Sequence, residues 1–554
     1  MPNRKIGRVS ATEKNPSSCD EFMFWLEEKV IIGPFDIIRV ENTIAGKKTV
    51  TYGIVQDIFH ITDSPGHLSN YVSSDFGNID VLEQTSKLAL SYAKASVLYN
   101  DQEIYMPVHD GSIVYDADEE DIKKALGLES IDSKNAICAG ILKTSAGVAV
   151  PVAYNSAFLI GPEGAHINIS GISGLATKTS YAMFLLQAIA QRNSDVAMIV
   201  LNVKGEDLLM LDMINNKITE NQKKDWGKAG LECKPFESVK YLYPYKKGRD
   251  EYFSNTALPQ KLVESQLEVG VAKNYIYTYD NDRDKLELLF SNVDDPNFTI
   301  ESILNFIAEN QDFESLTWDS FKSKLKEYTR VEKHRAGSNK EIPIQSWRKF
   351  SRLISNSIGN DIFQSSESRD KKRAHCFLSK EVASLKAGET MVVDIAKLDE
   401  QLQCLVFGDI IKAVYDIKHG DCDYCGAETF PKKVIIFVDE LNKYAPSTSP
   451  KNSPILNYLL EITERGRSEG VILFSAEQFK SAVHDRIKGN CSTHVYGRTN
   501  AIEISKPDYR YIPTVFTNMM TRLGKGDLII QHPVFKTPIK VQFPYPSYRQ
   551  SSGE

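Results

Sequence analysis

Continuous runs of apolar residues recur in the middle and at the end of the chain, and each run stops at polar or charged residues. The clearest run is 434–438, which ends in Asp439 and Glu440. A run of this length without polar alternation is typical of a strand buried on both faces of a parallel sheet. Similar runs, separated by segments with helical spacing, predict further core strands at 166–169, 196–203, 390–395, 471–475 and 494–497.

The N-terminal part of the chain has a different pattern, in which short β-rich runs alternate with Gly, Pro, Asn and Asp. This pattern predicts a small antiparallel β-barrel over residues 1–155. Two helices are expected within it, near Thr85–Leu98 and at Glu119–Leu126. Because we find no candidate catalytic residue in this barrel, we expect it to serve in assembly or partner contact.

The rest of the chain predicts an α/β core in two segments. Strands and helices alternate over 156–209 and 390–545, whereas 210–389 has helical patterns broken by Pro-rich and polar turns. We therefore predict a helical insertion at 210–389 and a C-terminal tail at 546–554. A chain of 554 residues is long enough for several such domains.

Composition and charge exclude several classes of protein. Apolar residues make up 42% and charged residues 25%, as in ordinary globular proteins. The net charge of −7 excludes a generally basic protein that coats nucleic acid, but not a local basic channel. No apolar run approaches the roughly 20 residues of a membrane span, and no secretory signal is found. Eight scattered cysteines fit reduced thiols, so we expect a cytoplasmic protein without a membrane partner.

A glycine-containing loop between the first core strand and the next helix is a candidate phosphate site. Its candidate ligands are Gly171, Gly174, Ala176, Thr177, Lys178, Thr179 and Ser180. Loop N–H groups and the helix N-terminus attract phosphate oxygens, the lysine adds charge, and the following hydroxyl reaches Mg²⁺. The pattern departs from G-x-x-x-x-G-K-[ST], because Thr177 precedes the lysine and Gly171 is one residue too distant. An ordinary strand-to-helix turn remains the alternative.

Acidic and amide side chains follow the other core strands, and in a parallel sheet these strand ends share one edge. Asp439 is suited to hold Mg²⁺, and Glu440 to orient or deprotonate a water. Gln478 follows the strand at 471–475, where an amide can hold a water. The charged segment 204–207 follows the strand at 196–203. The alternative in each case is a residue that only shapes a turn.

Two groups of basic residues are candidates for contacts with other molecules. Arg465 and Arg467 lie in a Gly-flanked turn and suit stabilisation of a charged transition state, or surface salt bridges. Residues 321–380 contain 15 Lys or Arg against 6 Asp or Glu. The candidate nucleic-acid contacts there are Arg348, Lys349, Arg352, Lys371, Lys372 and Arg373, with Trp347 and Phe350 interleaved. A solvated helix face is the alternative.

Taken in order, these parts resemble the HerA-type branch of the HerA/FtsK ATPases. The resemblance spans most of the chain and rests on the N-terminal barrel, the segments Lys178–Thr179, 204–206, 439–444 and 464–467, and the strand end at 475–478. It implies a RecA-like P-loop ATPase core with ATP and Mg²⁺ as cofactors. It also implies a ring, usually hexameric, that moves double-stranded DNA with ATP bound between subunits. Family members commonly act with a nuclease, and some bacterial members act with other effectors against phage.

The resemblance also implies a role for each candidate residue. Lys178 and Thr179 bind phosphate and Mg²⁺, Asp439 lies on the Mg²⁺ side, and Glu440 is the catalytic base. Gln478 is a sensor, and Arg467, or else Arg465, acts on the neighbouring subunit. We expect an ATP-driven DNA motor that works with a partner nuclease or other effector. The alternatives are an oligomeric scaffold that binds nucleotide weakly, and a monomeric nucleotide-binding module.

Overall fold

The computed structural model describes residues 4–78, 80, 88–172, 177–248, 253–331, 342–368, 370, 373–420, 429–450 and 452–553. These residues form two compact units that interleave along the sequence. The first unit comprises Met1–Asn155, Tyr509–Leu523 and Asp527–Gln542. The second comprises Ser156–Asp508, Gly524–Gly526 and Phe543–Glu554.

The first unit contains a closed antiparallel barrel with the strand order β1-β2-β5-β4-β3-β6. The strands are Lys5–Val9 (β1), Glu21–Leu26 (β2), Ile37–Ile44 (β3), Lys47–Thr62 (β4), Ala89–Asn100 (β5) and Ile113–Asp116 (β6). Alternate side chains point inward, and Ile6, Phe24, Val40 and Val114 are among those that fill the interior.

The helix predicted near Thr85–Leu98 is wrong, because its described part belongs mainly to strand β5. Residues 85–87 lie outside the described part of the chain. Strand β5 pairs with β2 on one side and β4 on the other, and its alternate residues Ala93 and Ala95 are fully buried. Pairing on both edges outweighs the preference of alanine for helix.

The second helix predicted in this region is confirmed at Glu119–Leu126. Asp118 caps its start, because the Asp118 side chain accepts a hydrogen bond from the backbone N–H of Asp121 at 2.9 Å. Gly127 ends it with a φ of 80°, a conformation that glycine adopts without strain.

The other elements of the first unit are antiparallel strands and short helices. The strands are Ala136–Lys143 (β7), Ala149–Asn155 (β8), Asp527–Gln531 (β18) and Ile539–Gln542 (β19), and the pairs are β7 with β8, β7 with β19, and β18 with β19. The helices are His67–Ser73 (α1), Glu119–Leu126 (α2) and Thr514–Met520 (α16). Strands β18 and β19 pair as an antiparallel hairpin near the end of the chain.

The second unit is built on a parallel sheet with the order β13-β12-β11-β14-β10-β15-β16-β9-β17. Its strands are Ile167–Ser170 (β9), Val196–Asn202 (β10), Val239–Pro244 (β11), Ala272–Tyr275 (β12), His375–Cys376 (β13), Thr390–Asp394 (β14), Lys433–Asp439 (β15), Val471–Glu477 (β16) and Thr493–Tyr496 (β17). Strands β9, β10, β14 and β16 are buried along their whole length, which explains their continuous apolar runs.

Helices cover this sheet and fill the segment between β10 and β14. They are Ser156–Leu159 (α3), Thr177–Ala190 (α4), Glu220–Lys228 (α5), Gln260–Val269 (α6), Tyr279–Asp282 (α7), Thr299–Glu309 (α8), Trp318–Tyr328 (α9), Ile344–Ser357 (α10), Leu378–Ala383 (α11), Glu400–His419 (α12), Pro454–Glu469 (α13), Asp485–Asn490 (α14) and Ala501–Ile504 (α15). Short 3₁₀ helices include Arg283–Phe290 and Leu441–Lys443. The stretch 210–389, predicted as helical, also contributes β11, β12 and β13 to the core sheet.

The predicted fold class is confirmed: the chain is α/β, with an N-terminal β-barrel and a parallel core. In this core β16 lies between β9 and β15, and β10 follows β15. The residues after Phe543 pack on the same unit as helix α4. Trp226 donates a hydrogen bond to the carbonyl oxygen of Tyr545 at 2.8 Å, and Tyr548 is buried.

Candidate functional site

The carboxyl ends of strands β9, β10, β15 and β16 bring the predicted site residues to one edge of the sheet. Residue pairing places Asp439 beside Ala476, and Glu477 beside Ser170 at the end of β9. Strand β16 therefore lies between β15, which ends at Asp439, and β9, which ends at Ser170. This is the edge at which open α/β sheets bind their ligands.

Asp439 and Glu440 are both buried, and Glu440 has an unusual backbone conformation. Its φ of 58° is in the left-handed region, which is unfavourable for a residue with a side chain. The backbone N–H of Glu440 donates to the carbonyl oxygen of Ala476 at 2.6 Å and to Asp439 Oδ1 at 3.0 Å. These two hydrogen bonds hold the turn, and the Glu440 carboxylate lies within 4 Å of the ammonium groups of Lys178 and Lys204.

Lys178 and Thr179 lie in the first turn of helix α4 and face the same acids. Thr179 Oγ1 donates to Asp439 Oδ2 at 3.3 Å. Lys178 Nζ lies 3.8 Å from Glu440 Oε1, and its side chain is only 6% exposed. Burial lowers the pKa of Lys178, while the charges of Asp439 and Glu440 act in the opposite direction.

Glu440 also receives two hydrogen bonds from neighbouring strand ends. Lys204 Nζ donates to Glu440 Oε1 at 2.6 Å and lies 3.5 Å from Asp439 Oδ2. Gln478 Nε2 donates to the same Glu440 oxygen at 3.3 Å. Burial would raise the pKa of Glu440, but the hydrogen bond from Lys204 and the charges of Lys178 and Lys204 outweigh it and lower that pKa. Glu440 is therefore held as a carboxylate.

Lys204 and Glu477 also lie at these strand ends but are not among the residues predicted for the site. The sequence analysis includes Lys204 only in the charged segment 204–207, and the signal that could have identified it is its position directly after a buried strand. Glu477 is fully buried at the end of β16, and burial raises the pKa of its carboxyl group to about 8. A strand-end glutamate is indistinguishable from a turn residue in the sequence, so its burial was not predictable.

A cavity of about 160 Å³ lies beside Lys178, Thr179, Lys204 and Asp439. It is lined by Ile172, Thr177, Lys178, Thr179, Asn202, Val203, Lys204, Asp207, Leu208 and Asp439. The Lys178 ammonium is buried and has no hydrogen-bond partner among the described residues, so a phosphate oxygen would satisfy it. Thr179 Oγ1 and Asp439 Oδ2 are adjacent oxygen atoms of the kind that Mg²⁺ prefers. The residues present therefore fit a magnesium nucleotide.

The predicted phosphate loop is described only in part. Gly174 and Ala176 lie outside the described residues, and Thr177 is buried at the start of α4. Gly171 has a φ of 154°, and a Cβ there would lie 3.1 Å from Gly497 Cα, so the loop needs glycine at this position. Ser180, by contrast, accepts a hydrogen bond from Gln550 Nε2 at 3.3 Å and is not part of the cavity lining.

Arg465 and Arg467 lie in the last turns of helix α13, so the prediction of a Gly-flanked turn is wrong. Glycine is needed at 466 for packing, because a Cβ there would lie 2.6 Å from the carbonyl oxygen of Val471. Arg467 Nη1 donates to the carbonyl oxygen of Glu163 at 2.9 Å, and Arg465 pairs with Glu461 at 3.1 Å. Both arginines precede β16 and therefore lie near the amino ends of the parallel strands, whereas the acids lie at the carboxyl ends.

The structure describes four of the predicted nucleic-acid residues: three lie on helix α10, and the fourth is Arg373. Arg348, Lys349 and Arg352 are exposed on helix α10. Trp347 and Phe350 are fully buried in the core on its other side, so they are not available to stack on bases. Arg373 lies over the ring of Phe253 at 5.5 Å. Lys371 and Lys372 lie outside the described residues.

No protein-family model matches the chain, and no curated protein matches it. Solved structures of similar fold include the bacterial conjugative coupling protein TrwB, with 11% identity and a TM-score of 0.44, over 77% of this chain and 93% of that chain. VirB4 of Thermoanaerobacter pseudethanolicus has 12% identity and a TM-score of 0.42, over 75% and 98% of the two chains. Among the described residues, no helix is both long and apolar enough to cross a membrane.

Proposed function

We propose that this protein hydrolyses ATP and uses the energy to move along double-stranded DNA. The observation that carries the proposal is the set of contacts around one cavity lined by Lys178, Thr179 and Asp439. Glu440 lies 3.8 Å from Lys178, and Gln478 donates a hydrogen bond to Glu440. A phosphate-binding lysine, a hydroxyl beside an acid, and a second buried carboxylate are the groups that phosphoryl transfer to water requires.

Each residue has a distinct part in this reaction. Lys178 would bind the terminal phosphates, and Thr179 with Asp439 would hold Mg²⁺, which would supply positive charge to offset the charge that develops on the phosphate oxygens. Glu440 is kept as a carboxylate by its neighbours, so it accepts a hydrogen bond from the attacking water and orients it. Gln478 fixes the Glu440 carboxylate through their hydrogen bond.

We further propose that the active form is a ring of identical subunits, with a hexamer as the expected number. The position of Arg465 and Arg467 supports this, since they lie too far from the acids of their own chain to act on them. The exposed basic face of helix α10 supports contact with DNA phosphates. We propose a partner nuclease or other effector, with a role in defence against phage, and action in the cytoplasm.

An oligomeric scaffold for an effector enzyme is the second candidate function. It is favoured by Thr177, which stands where nucleotide-binding loops carry glycine and restricts the permitted backbone conformations. A scaffold predicts that Lys178→Ala leaves assembly and partner activation intact. Loss of both in that variant would exclude it.

The deciding experiment measures ATP hydrolysis by the purified chain, alone and with long double-stranded DNA at moderate salt. We expect DNA to stimulate hydrolysis, and Glu440→Gln to abolish it while nucleotide binding persists. Glu268→Gln, an exposed carboxylate on helix α6, is the matched control and should behave as the parent protein. Hydrolysis by Glu440→Gln at the parental rate would contradict the assignment of the base.

A further inference from the structure

Lys204 bridges the two acids at the end of strand β15. Its ammonium lies 2.6 Å from Glu440 Oε1 and 3.5 Å from Asp439 Oδ2. Lys204 is 47% exposed, whereas the other lysine of the site, Lys178, is 6% exposed. The exposed lysine is thus the one that can leave the acids without opening the core.

The contacts of Lys204 compete with the roles proposed for these acids. A divalent cation held by Asp439 would lie beside the Lys204 ammonium, and two positive charges at that separation repel each other. The Glu440 oxygen that accepts from Lys204 also accepts from Gln478, which leaves it less able to accept from a water. A divalent cation held by Asp439 would therefore favour release of Lys204.

We propose that Lys204 is a positioning residue that restrains Glu440 and competes with the divalent cation for the Asp439–Glu440 pair. The proposal rests on the proposed ATPase function, because it assigns Glu440 the role of base. Departure of Lys204 from Glu440, driven by binding of the magnesium nucleotide, frees the carboxylate to orient water.

The loop that carries Lys204 is anchored at several points, which explains why the lysine faces the acids. Asn202 Nδ2 donates to the carbonyl oxygen of Gly205 at 3.1 Å. Glu206 Oε1 accepts hydrogen bonds from Ser551 Oγ at 3.1 Å and from the Ser552 backbone N–H at 2.9 Å. Because these hydrogen bonds fix the backbone around Lys204, we expect its side chain, and not the loop, to move.

The test compares three variants of the full chain. Lys204→Met removes the charge and keeps the length of the side chain, and Lys204→Arg keeps the charge. Lys228→Met is the matched control, since Lys228 is 52% exposed and pairs with the Asp225 carboxylate at 2.8 Å. For each variant, binding of Mn²⁺ without nucleotide is measured by electron paramagnetic resonance, and ATP hydrolysis is measured without DNA.

Lys204→Met should bind Mn²⁺ about fivefold to tenfold more tightly than the parent protein, because a nearby positive charge is gone. Its rate of ATP hydrolysis without DNA should rise several-fold. Lys204→Arg and Lys228→Met should match the parent in Mn²⁺ affinity. Unchanged Mn²⁺ affinity in Lys204→Met, or a fall in its hydrolysis rate, would refute the proposal that Lys204 restrains Glu440 and competes with the cation. Absence of hydrolysis in the parent would instead refute the ATPase, and Mn²⁺ binding would still test the competition.

Discussion

Gln478 donates a hydrogen bond to Glu440, with Gln478 Nε2 and Glu440 Oε1 3.3 Å apart. The two residues directly follow the neighbouring parallel strands β15 and β16, so sheet pairing brings them together. The contact fixes one oxygen of the carboxylate that we assign as base.

Gln478→Ala should lower the rate of ATP hydrolysis by about tenfold to a hundredfold, because the carboxylate loses a group that orients it. Nucleotide affinity should stay close to that of the parent, since Gln478 is not part of the cavity lining. Steady-state kinetics together with binding of a fluorescent nucleotide would check this. A large loss of affinity at an unchanged maximal rate would show that the amide binds nucleotide instead.

Arg467→Ala should lose about a thousandfold in hydrolysis rate if its guanidinium acts on a neighbouring subunit. Lys178→Ala should also be inactive, but an equal mixture of the two variants should regain part of the activity, because some interfaces then combine an intact site with an intact arginine. Arg465→Ala, on the same helix, is the matched comparison and should stay active. No recovery on mixing would count against action between subunits.

Replacement of Arg348, Lys349 and Arg352 with Gln should weaken DNA binding. If each side chain contacts one phosphate, the slope of log affinity against log salt should fall by about 3. Replacement of Lys223, Lys224 and Lys228 on helix α5 removes the same number of exposed charges and should change neither quantity. Fluorescence anisotropy at several salt concentrations would measure both. Equal effects of the two triple variants would mean that only net charge matters.

Glu477→Gln should change how stability depends on pH. Burial raises the pKa of Glu477 from 4.5 to about 8, against the smaller opposing effect of Lys178. The folded protein thus keeps a proton between these pH values that the unfolded chain has lost, so its stability falls as pH rises from about 4.5 to about 8.

The glutamine variant lacks this group and should be stabilised relative to the parent at pH 8 but not at pH 5. Thermal unfolding midpoints at the two pH values would show the difference, with Glu268→Gln as an exposed control. Identical pH profiles for Glu477→Gln and the parent would mean that the carboxyl group is not protonated in the folded protein.

The parallel core was predictable because its strands are buried on both faces. A strand buried on both faces needs apolar side chains at successive positions, which is visible in the sequence as a continuous apolar run. Strand β15 with Asp439 and Glu440 is the clearest case. The segment of strand β5 predicts a helix, because Ala93 and Ala95 favour helix locally. They are strand residues only because β5 pairs with β2 and β4. Local propensity cannot report such distant partners.

The candidate site was also predictable in part. The positions of the predicted strand ends, and the spacing of residues after them, identify the lysine and hydroxyl of helix α4 and the two acids. The contact between Lys204 and Glu440 joins residues 236 positions apart and depends on which strands are neighbours. Likewise, Trp347 was expected beside DNA, but helix α10 turns it into the core, and only its charged neighbours reach solvent.

The arginines of helix α13 and the acids of strand β15 lie at opposite edges of one sheet, separated by the length of β16, about 20 Å. If each subunit supplies an arginine to one neighbour and receives an arginine from the other, the interface between subunits is heterologous. Subunits joined by such an interface form either a closed ring or an open filament that keeps growing. In a closed assembly every site is complete. An open one always leaves an incomplete site at one end, so closure itself would complete the last catalytic centre.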